Sequence, residues 1–349
     1  MFQETLTSRA QWIEARKKGL GASDAAAILG VSPWKGALQL YHEKLGIVDT
    51  PKGESFAREL GLALERPIAE LYAKRTERKI ILPKPGTFVL ERHPVRPYMV
   101  ATLDGLQTFT DREEDRELRL TTGVLEIKTA SIAKIASWQN EAPIDYQVQV
   151  QHQLAVTGNR FGTCVALVGG VTLVYSDIKR DPEFIEMLEN ACAEFWRRLQ
   201  LKDPPPPDGT EATKAFLKML YPKEEPKAAT LPPDAITWDQ ERVAADRAIK
   251  DWTGKKLEAE AKLKLAIGEA TMGILPNGVV YTWRTQNRKG YTVAPTSFRD
   301  FRRKGTKDEK PPTLRKGQAP SIDDVTNVFE QQRQNEEQES VDAGDITFD

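Results

Sequence analysis

The chain has 349 residues, carries 50 Lys and Arg against 51 Asp and Glu, and is 40% hydrophobic and 29% charged, an ordinary composition for one large globular domain or two. No apolar run reaches the roughly 18 residues that cross a bilayer, the first residues lack a basic-then-apolar signal pattern, and two cysteines, Cys164 and Cys192, exclude a four-cysteine zinc or iron–sulfur site within the chain. A formal net charge of -1 argues, at face value, against a nucleic-acid partner.

In chain order, apolar spacing predicts short helices over 25–29 and 38–45 and a longer helix over 60–75, followed by strands over 87–90, 99–103 and 124–127. The Gln-rich stretch 146–157 is helical by length and by its lack of β-branched residues on the Gln face. Strands over 162–168 and 171–178 are joined by the Gly169-Gly170 turn signal. Phe184, Ile185, Leu188, Ala191, Cys192, Phe195 and Leu199 recur at helical spacing, and the helix they define is ended by the run Pro204-Pro205-Pro206-Pro207, which neither a helix nor a central strand accepts. Residues 1–209 therefore read as one domain of the α/β (α+β) class, a mixed central sheet flanked by helices. A linker is expected over 210–237. Beyond it, a charged helix over 238–272 carries the stripe Val243, Ile249, Trp252, Leu257, Leu263 and Ile267 and is stopped by Gly273. Asn277-Gly278 beside Val279–Trp283 signals a hairpin. Helix, hairpin and a basic segment form an appendage over 238–316, and 317–349, poor in apolar residues, is expected to be a disordered acidic tail.

The even charge total conceals a strong local asymmetry. Residues 1–203 hold 27 basic and 27 acidic side chains, 204–282 hold 11 and 12, 283–316 hold 11 and 3, and 317–349 hold 1 and 9. A basic block thus runs directly into an acidic tail. The block is either a solvated face or a DNA-binding segment with which the tail competes; Arg302, Arg303 and Lys304, near Tyr291, Phe298 and Phe301, have the basic-plus-aromatic makeup of such a segment.

The candidate chemistry lies upstream. In Leu125-Glu126-Ile127-Lys128, strand alternation puts Glu126 and Lys128 on one face, about 6–7 Å apart, with Leu125 and Ile127 turned into a core. An isolated Glu-x-Lys is usually a surface ion pair. Asp104, in Leu103-Asp104-Gly105 and 22 positions before Glu126, changes that reading: two carboxylates and an ammonium suit metal-assisted hydrolysis, because hard Mg²⁺ takes carboxylate oxygens and the ammonium steers a hydroxide. The acidic loop 111–117 between them reads as a hairpin tip. Glu65, on the long helix, is either a third carboxylate at this site or a solvated residue. Gln149, His152 and Gln153 share a helix face by the i, i+3, i+4 rule; His152 is either a contact to metal or DNA or an ordinary polar helix residue. Trp34, after Pro33, is either a contact to a DNA end or a residue of core or turn packing.

Taken together, Arg16 with Gly19-Leu20-Gly21-Ala22-Ser23-Asp24 and Ile28–Trp34, Gly61-x-x-x-Glu65, Ala101–Gly105, Leu125–Thr129, Gln149–Gly158 and Pro204–Gly209 resemble, in order, the motifs of YqaJ-type phage recombinases, relatives of lambda exonuclease in the PD-(D/E)xK superfamily. The resemblance covers residues 9–209 and implies a restriction-endonuclease-like core. It implies that Asp104, Glu126, the Ile127 backbone carbonyl and Glu65 hold two Mg²⁺ ions, with Mn²⁺ able to substitute. It further implies that Lys128 activates the attacking water, that Gln149 stands beside the scissile phosphate, and that Arg16 and Ser23 grip a DNA 5′-phosphate. The activity so implied is 5′-to-3′ exonuclease action on double-stranded DNA ends in phage-type recombination, in the cytoplasm of a bacterial host, with a single-strand annealing protein as partner and a homotrimer as the assembly. Endonuclease or structure-specific cutting at the same site, and an idle DNA-binding scaffold, are the alternatives.

If the acidic tail competes with DNA for the basic block, removing residues 317–349 strengthens DNA binding at low salt and steepens the fall of log K with log salt. Binding isotherms at several salt concentrations measure this, and an unchanged affinity would separate the tail from the block.

Overall fold

The structure is a computed structural model that describes residues 2–48, 56–108, 122–225 and 228–286, and the chain divides into two units, 1–222 and 223–349. In chain order the first unit comprises β1 (Phe2–Leu6), α1 (Arg9–Lys17), β2 (Leu20–Gly21), α2 (Ala22–Ile28), α3 (Ala37–Lys44), α4 (Phe56–Thr76), β3 (Lys79–Ile81), β4 (Phe88–Arg92), β5 (Met99–Ala101), β6 (Gly105–Thr108), β7 (Gly123–Ala130), a 3-10 helix (Ile132–Trp138), α5 (Ile144–Thr157), β8 (Phe161–Val168), β9 (Thr172–Lys179), α6 (Pro182–Leu201) and α7 (Glu211–Leu220). The second contains α8 (Ala235–Ile267), β10 (Met272–Ile274) and β11 (Val280–Thr282). The mixed α/β class with flanking helices is borne out.

The strands of the first unit divide between two sheets, ordered β1-β4-β5-β2 and β3-β6-β7-β8-β9, and β10 and β11 of the second pair with each other. β7 and β8 run parallel with Glu126 opposite Cys164, so the chain needs a crossover between them, and α5 supplies it. Apolar residues occur on both faces of β7 because both faces are covered. On one face Val124, Cys164, Ala166 and Val168 pack with Val148, Leu154 and Ala155 of α5 and with α2 and α6. On the other, Leu125, Ile127 and Val165 pack against Ile68, Ala69 and Tyr72 of α4. Each such side chain, fully buried, contributes about 1.5–3 kcal/mol.

A polar network fixes the C-terminal end of α4 on this second face. The Tyr72 hydroxyl donates to Gln107 Oε1 at 2.9 Å, Gln107 Nε2 donates to Thr163 Oγ1 at 2.6 Å, and Arg78 forks onto Asp177 at 2.8 and 2.6 Å. Planar, bidentate pairing of this kind is directional as well as strong, so it sets the helix in rotation as well as in depth.

Three expectations need correction. The stretch 210–237 is not simply a linker: Thr210 caps α7 by accepting from the Thr213 N–H at 3.2 Å, and Phe216 is buried, its ring 5.2 Å from that of His42. The amphipathic spacing of 211–220 was masked by the prolines before it. The long helix stops at Gly268, which has φ 60, rather than at Gly273, as a left-handed φ favours glycine. No residue of α8 is buried: of its predicted stripe Ile249, Trp252 and Leu257 are exposed and Val243, Leu263 and Ile267 are half-buried, and i,i+4 pairs such as Lys262–Glu258 at 2.6 Å support the helix. The expected hairpin tip 111–117, Arg302, Arg303, Lys304 and the tail lie outside the described residues. Among those described, no helix is long and apolar enough to cross a membrane.

Gly123 is required by close approach. A Cβ there would stand 2.2 Å from Phe161 Cζ and under 3 Å from two more ring atoms, across the β7–β8 pair. Gly123→Ala is expected to destabilise the first unit by about 1–3 kcal/mol, as overpacking a rigid core does, read as a lower Tm in thermal unfolding.

Candidate active site

β5 ends in the first sheet and β6 begins in the second, so Thr102, Leu103 and Asp104 form the crossing between them. Asp104 Oδ2 accepts the Ile127 N–H at 2.8 Å, which fastens the crossing to β7. The alternation expected for β7 holds, and Glu126 and Lys128 both face α5. Glu126 is 2% exposed. Its Oε1 accepts from the Lys128 ammonium, with which it pairs, and from Gln149 Nε2 at 2.5 Å; its Oε2 accepts from Gln153 Nε2 at 2.5 Å. The Lys128 Nζ also stands 5.2 Å from the centroid of the Tyr146 ring, a cation–π distance.

The electrostatics are those of crowded carboxylates. Burial and then the charge of Glu126 push the Asp104 carboxyl well above the usual range, with Glu65 adding to the rise and Lys128 and the Ile127 N–H opposing it. Burial and Glu126 raise the Glu65 carboxyl as well. Lys128 is shifted upward: burial works against its charge, but Glu126 and Asp104 outweigh it. A group of acids that disfavour one another's ionisation is relieved by a bound cation, and hard oxygen donors suit a divalent one. In the arrangement observed, no three acidic, histidine or cysteine side chains among the described residues stand together closely enough to hold an ion. Glu126 accepts two donors on Oε1 and one on Oε2, so of its about four acceptor positions the one left over is on Oε2.

A second polar group faces the same space. Arg16 Nη2 donates to Ser23 Oγ at 2.9 Å, and the Arg16 guanidinium lies 4.7 Å over the Trp12 ring. A Cβ on Gly21 would stand 3.0 Å from Arg16 Nη2, so glycine at 21 admits the guanidinium. The segment is pinned from behind. Asp24 accepts the Gly21 N–H at 3.0 Å and pairs with Lys44 at 2.7 Å and Lys35 at 3.4 Å; Lys44 in turn donates to the Gly19 carbonyl at 2.6 Å. Burial opposes ionisation of Asp24, but Lys44, Lys35 and Arg16 hold its carboxyl far below the usual range. In front, Trp12 Nε1 donates to Thr102 Oγ1 at 2.9 Å, which joins α1 to the crossing that carries Asp104.

One cleft of about 550 Å³ is lined by Arg16, Ser23, Glu65, Asp104 and Gln149 together, with Arg9, Arg58, Arg66 and Lys84 around them. Glu126 and Lys128 lie behind Asp104 and Gln149 rather than in the lining. His152 is a correction: it is fully buried, its Nε2 bonded to the Val100 carbonyl at 3.2 Å, and burial lowers its pKa to about 4. One position along a helix turns a side chain by roughly 100°, so His152 meets β5 while Gln149 and Gln153 meet β7. Trp34 is 73% exposed, on the segment between α2 and α3, and does not line the cleft. Sequence reasoning passed over three contributors: Gln153 as a donor to Glu126, Trp12 as the tie to the crossing, and the Asp24–Lys44 clamp. Gln153 was visible as the i+4 neighbour of Gln149; nothing local announced the others.

Residues 11–160 match the family model of the YqaJ-like viral recombinase domain. The chain is similar to the uncharacterized protein YqaJ of Bacillus subtilis (strain 168), 31% identical over 279 residues that span 77% of this chain and 82% of that one. It belongs to the YqaJ family. Among solved structures it is similar to the alkaline exonuclease LHK-Exo from Laribacter hongkongensis, with 20% identity and a TM-score of 0.42 over 60% of this chain and 99% of that one. It is also similar to a phage related exonuclease from Haemophilus somnus 129PT, with 11% identity and a TM-score of 0.36 over 53% and 96%.

A carboxyl whose folded pKa is raised costs stability once pH passes its unfolded value, near 3.8 for Asp104, and the cost is complete above the folded pKa. Asp104→Asn keeps an oxygen for the Ile127 N–H but removes the charge. In cation-free buffer at neutral pH it is expected to raise stability by about 1 kcal/mol, ~2–4 °C in Tm for a unit of this size, with the gain vanishing below about pH 4. A Tm that falls at neutral pH would contradict the electrostatic account.

Proposed function

We propose that this chain is a Mg²⁺-dependent deoxyribonuclease of the PD-(D/E)xK type, acting 5′ to 3′ on linear double-stranded DNA from a 5′-phosphorylated end, in recombination with a single-strand annealing protein as partner. The observation that carries the reading is the Glu126–Lys128 pair held beside Asp104, behind the one cleft that also displays Arg16 and Ser23. Membership of a viral recombinase family supports the biological setting.

Asp104, Glu126, the Ile127 carbonyl and Glu65 are the groups to hold two Mg²⁺ ions, or Mn²⁺ in their place. Bound there, the metal supplies Lewis acidity toward a water and toward the phosphate oxygens that gain charge. Lys128, confined between Glu126 and the Tyr146 ring, orients the attacking water. Gln149 lines the cleft and reaches the phosphate from the α5 side. The Arg16 fork and the Ser23 hydroxyl take a terminal phosphate, which has the oxygens for both, and so favour ends over internal sites. Arg9, Arg58, Arg66 and Lys84 line the route of the strand.

The test is degradation of linear duplexes bearing 5′-phosphate, 5′-hydroxyl or blocked ends, with Mg²⁺, by wild type, Glu126→Ala and Arg16→Ala. Glu126→Ala is expected to abolish cleavage, and Arg16→Ala to lose the preference for phosphate. Equal wild-type rates on all ends would remove the end-phosphate claim. Rapid linearisation of closed circular DNA would replace it with endonuclease cutting. Tight DNA binding without any metal-dependent cleavage, unaffected by Lys128→Ala, would leave a DNA-binding scaffold.

A further inference from the structure

We propose that Gln153 is a positioning residue that fixes the Glu126 carboxylate for cation binding, gripping it from the protein side by the hydrogen bond between Gln153 Nε2 and Glu126 Oε2. The inference rests on reading Asp104, Glu126 and Lys128 as a metal centre, and it adds a residue to that centre which touches neither substrate nor ion.

Two amides on one helix hold one carboxylate. Gln149 and Gln153 are four residues apart on α5, hence one above the other, and they bond different oxygens of Glu126, each at 2.5 Å. Their surroundings differ. Gln149 is partly exposed and lines the cleft; Gln153 is fully buried and does not. An ion on Oε1 competes with Lys128 and Gln149; one on Oε2 takes the position left over there. In both cases Gln153 has no need to move.

The amide orientation is dictated by chemistry. An ionised carboxylate accepts only, so Gln153 must present its NH₂. Its own Oε1 is then left buried with no partner, a recognised cost. An apolar side chain of the same length would avoid that cost, so what an amide offers at this position is the donor. With one amide on each oxygen, rotation of the carboxylate about its terminal bond is blocked, and the lone pairs that meet an ion stay aimed. Hydrogen bonds of this kind to a ligating carboxylate typically carry about 10–100-fold in metal affinity or activity.

Two full-length variants test this. Gln153→Met keeps the length and removes donor and orphaned acceptor together; Gln153→Asn keeps an amide that falls a methylene short of Oε2. Both are compared with wild type by calorimetric Mg²⁺ titration of the cation-free protein, by cation-free Tm, and by kcat and KM on a linear duplex. The expected result is a 10–100-fold loss of Mg²⁺ affinity in both, a kcat that recovers as Mg²⁺ is raised, an unchanged KM for DNA, and a lower cation-free Tm, because the buried Glu126 Oε2 loses its donor. If Gln153→Met fails to fold, Gln153→Asn carries the test. Wild-type Mg²⁺ affinity in the folded variants, with or without a drop in Tm, would overturn the positioning role and leave the metal centre standing. A wild-type protein that takes up no Mg²⁺ would overturn the metal centre itself and Gln153's role with it.

Discussion

A carboxylate inside a sheet and helix interface survives only where its charge is met by hydrogen bonds and an opposite charge. Glu126 is in that position, and much of the first unit is arranged around the requirement. β7 must place Lys128 two residues on, on the same face. α5 must return over that face with amides where a buried crossover helix would otherwise carry only apolar side chains. The parallel β7–β8 pair makes that return obligatory, since parallel neighbours need a crossover. Val148, Val150, Leu154 and Val156 of α5 point elsewhere and are buried. Its other buried polar side chains Gln151 and His152 meet backbone carbonyls, those of Lys179 and Val100.

The same constraint reaches into the first sheet. Asp104 lies on the three-residue crossing from β5 to β6, held at one end by the bond of Trp12 to Thr102 and at the other by the Ile127 N–H on Asp104. α1 carries both Trp12 and Arg16, and the Trp12 ring lies under the Arg16 guanidinium. The Arg16 guanidinium and the Asp104 carboxylate are therefore connected by a short chain of direct contacts. Their spacing is a property of the scaffold, as the proposed registering of a strand end against a reacting bond requires.

How much of this was legible follows from the range of each interaction. Glu126 and Lys128 could be placed on one face because strand alternation is local, and Gln149 could be placed near them because a helix repeats every 3.6 residues. The division into two sheets was not legible, since β2, β3 and β6 are two to four residues long, too short for a period to show. His152 was misread because a three-residue step and a four-residue step diverge by about 100° around a helix, and only the position of β5 decides which neighbour each meets. Asp24 and Lys44 are 20 residues apart in sequence and carry no motif that joins them; their pairing emerges only when α2 packs on α3. The six-motif resemblance identified the family despite these gaps, because motif order is carried by the chain and not by the packing.

The near-zero net charge takes on a different meaning once the pairs are placed. Within the first unit many cations are spent on structural partners: Arg78 on Asp177, Arg96 on Glu189, Lys35 and Lys44 on Asp24. The cleft gathers Arg9, Arg16, Arg58, Arg66 and Lys84 together with the carboxylates Glu65 and Asp104. Fields add locally and are screened within about 10 Å at ordinary ionic strength, so a polyanion approaching the cleft meets this lining and not the total of 50 and 51. Within the lining the two signs are sorted by chemistry: the exposed guanidinium and ammonium groups suit phosphates, while the crowded carboxylates repel one another and call for a cation between them. The even balance of 27 basic and 27 acidic side chains over 1–203 is thus compatible with a cleft that sets the two signs side by side.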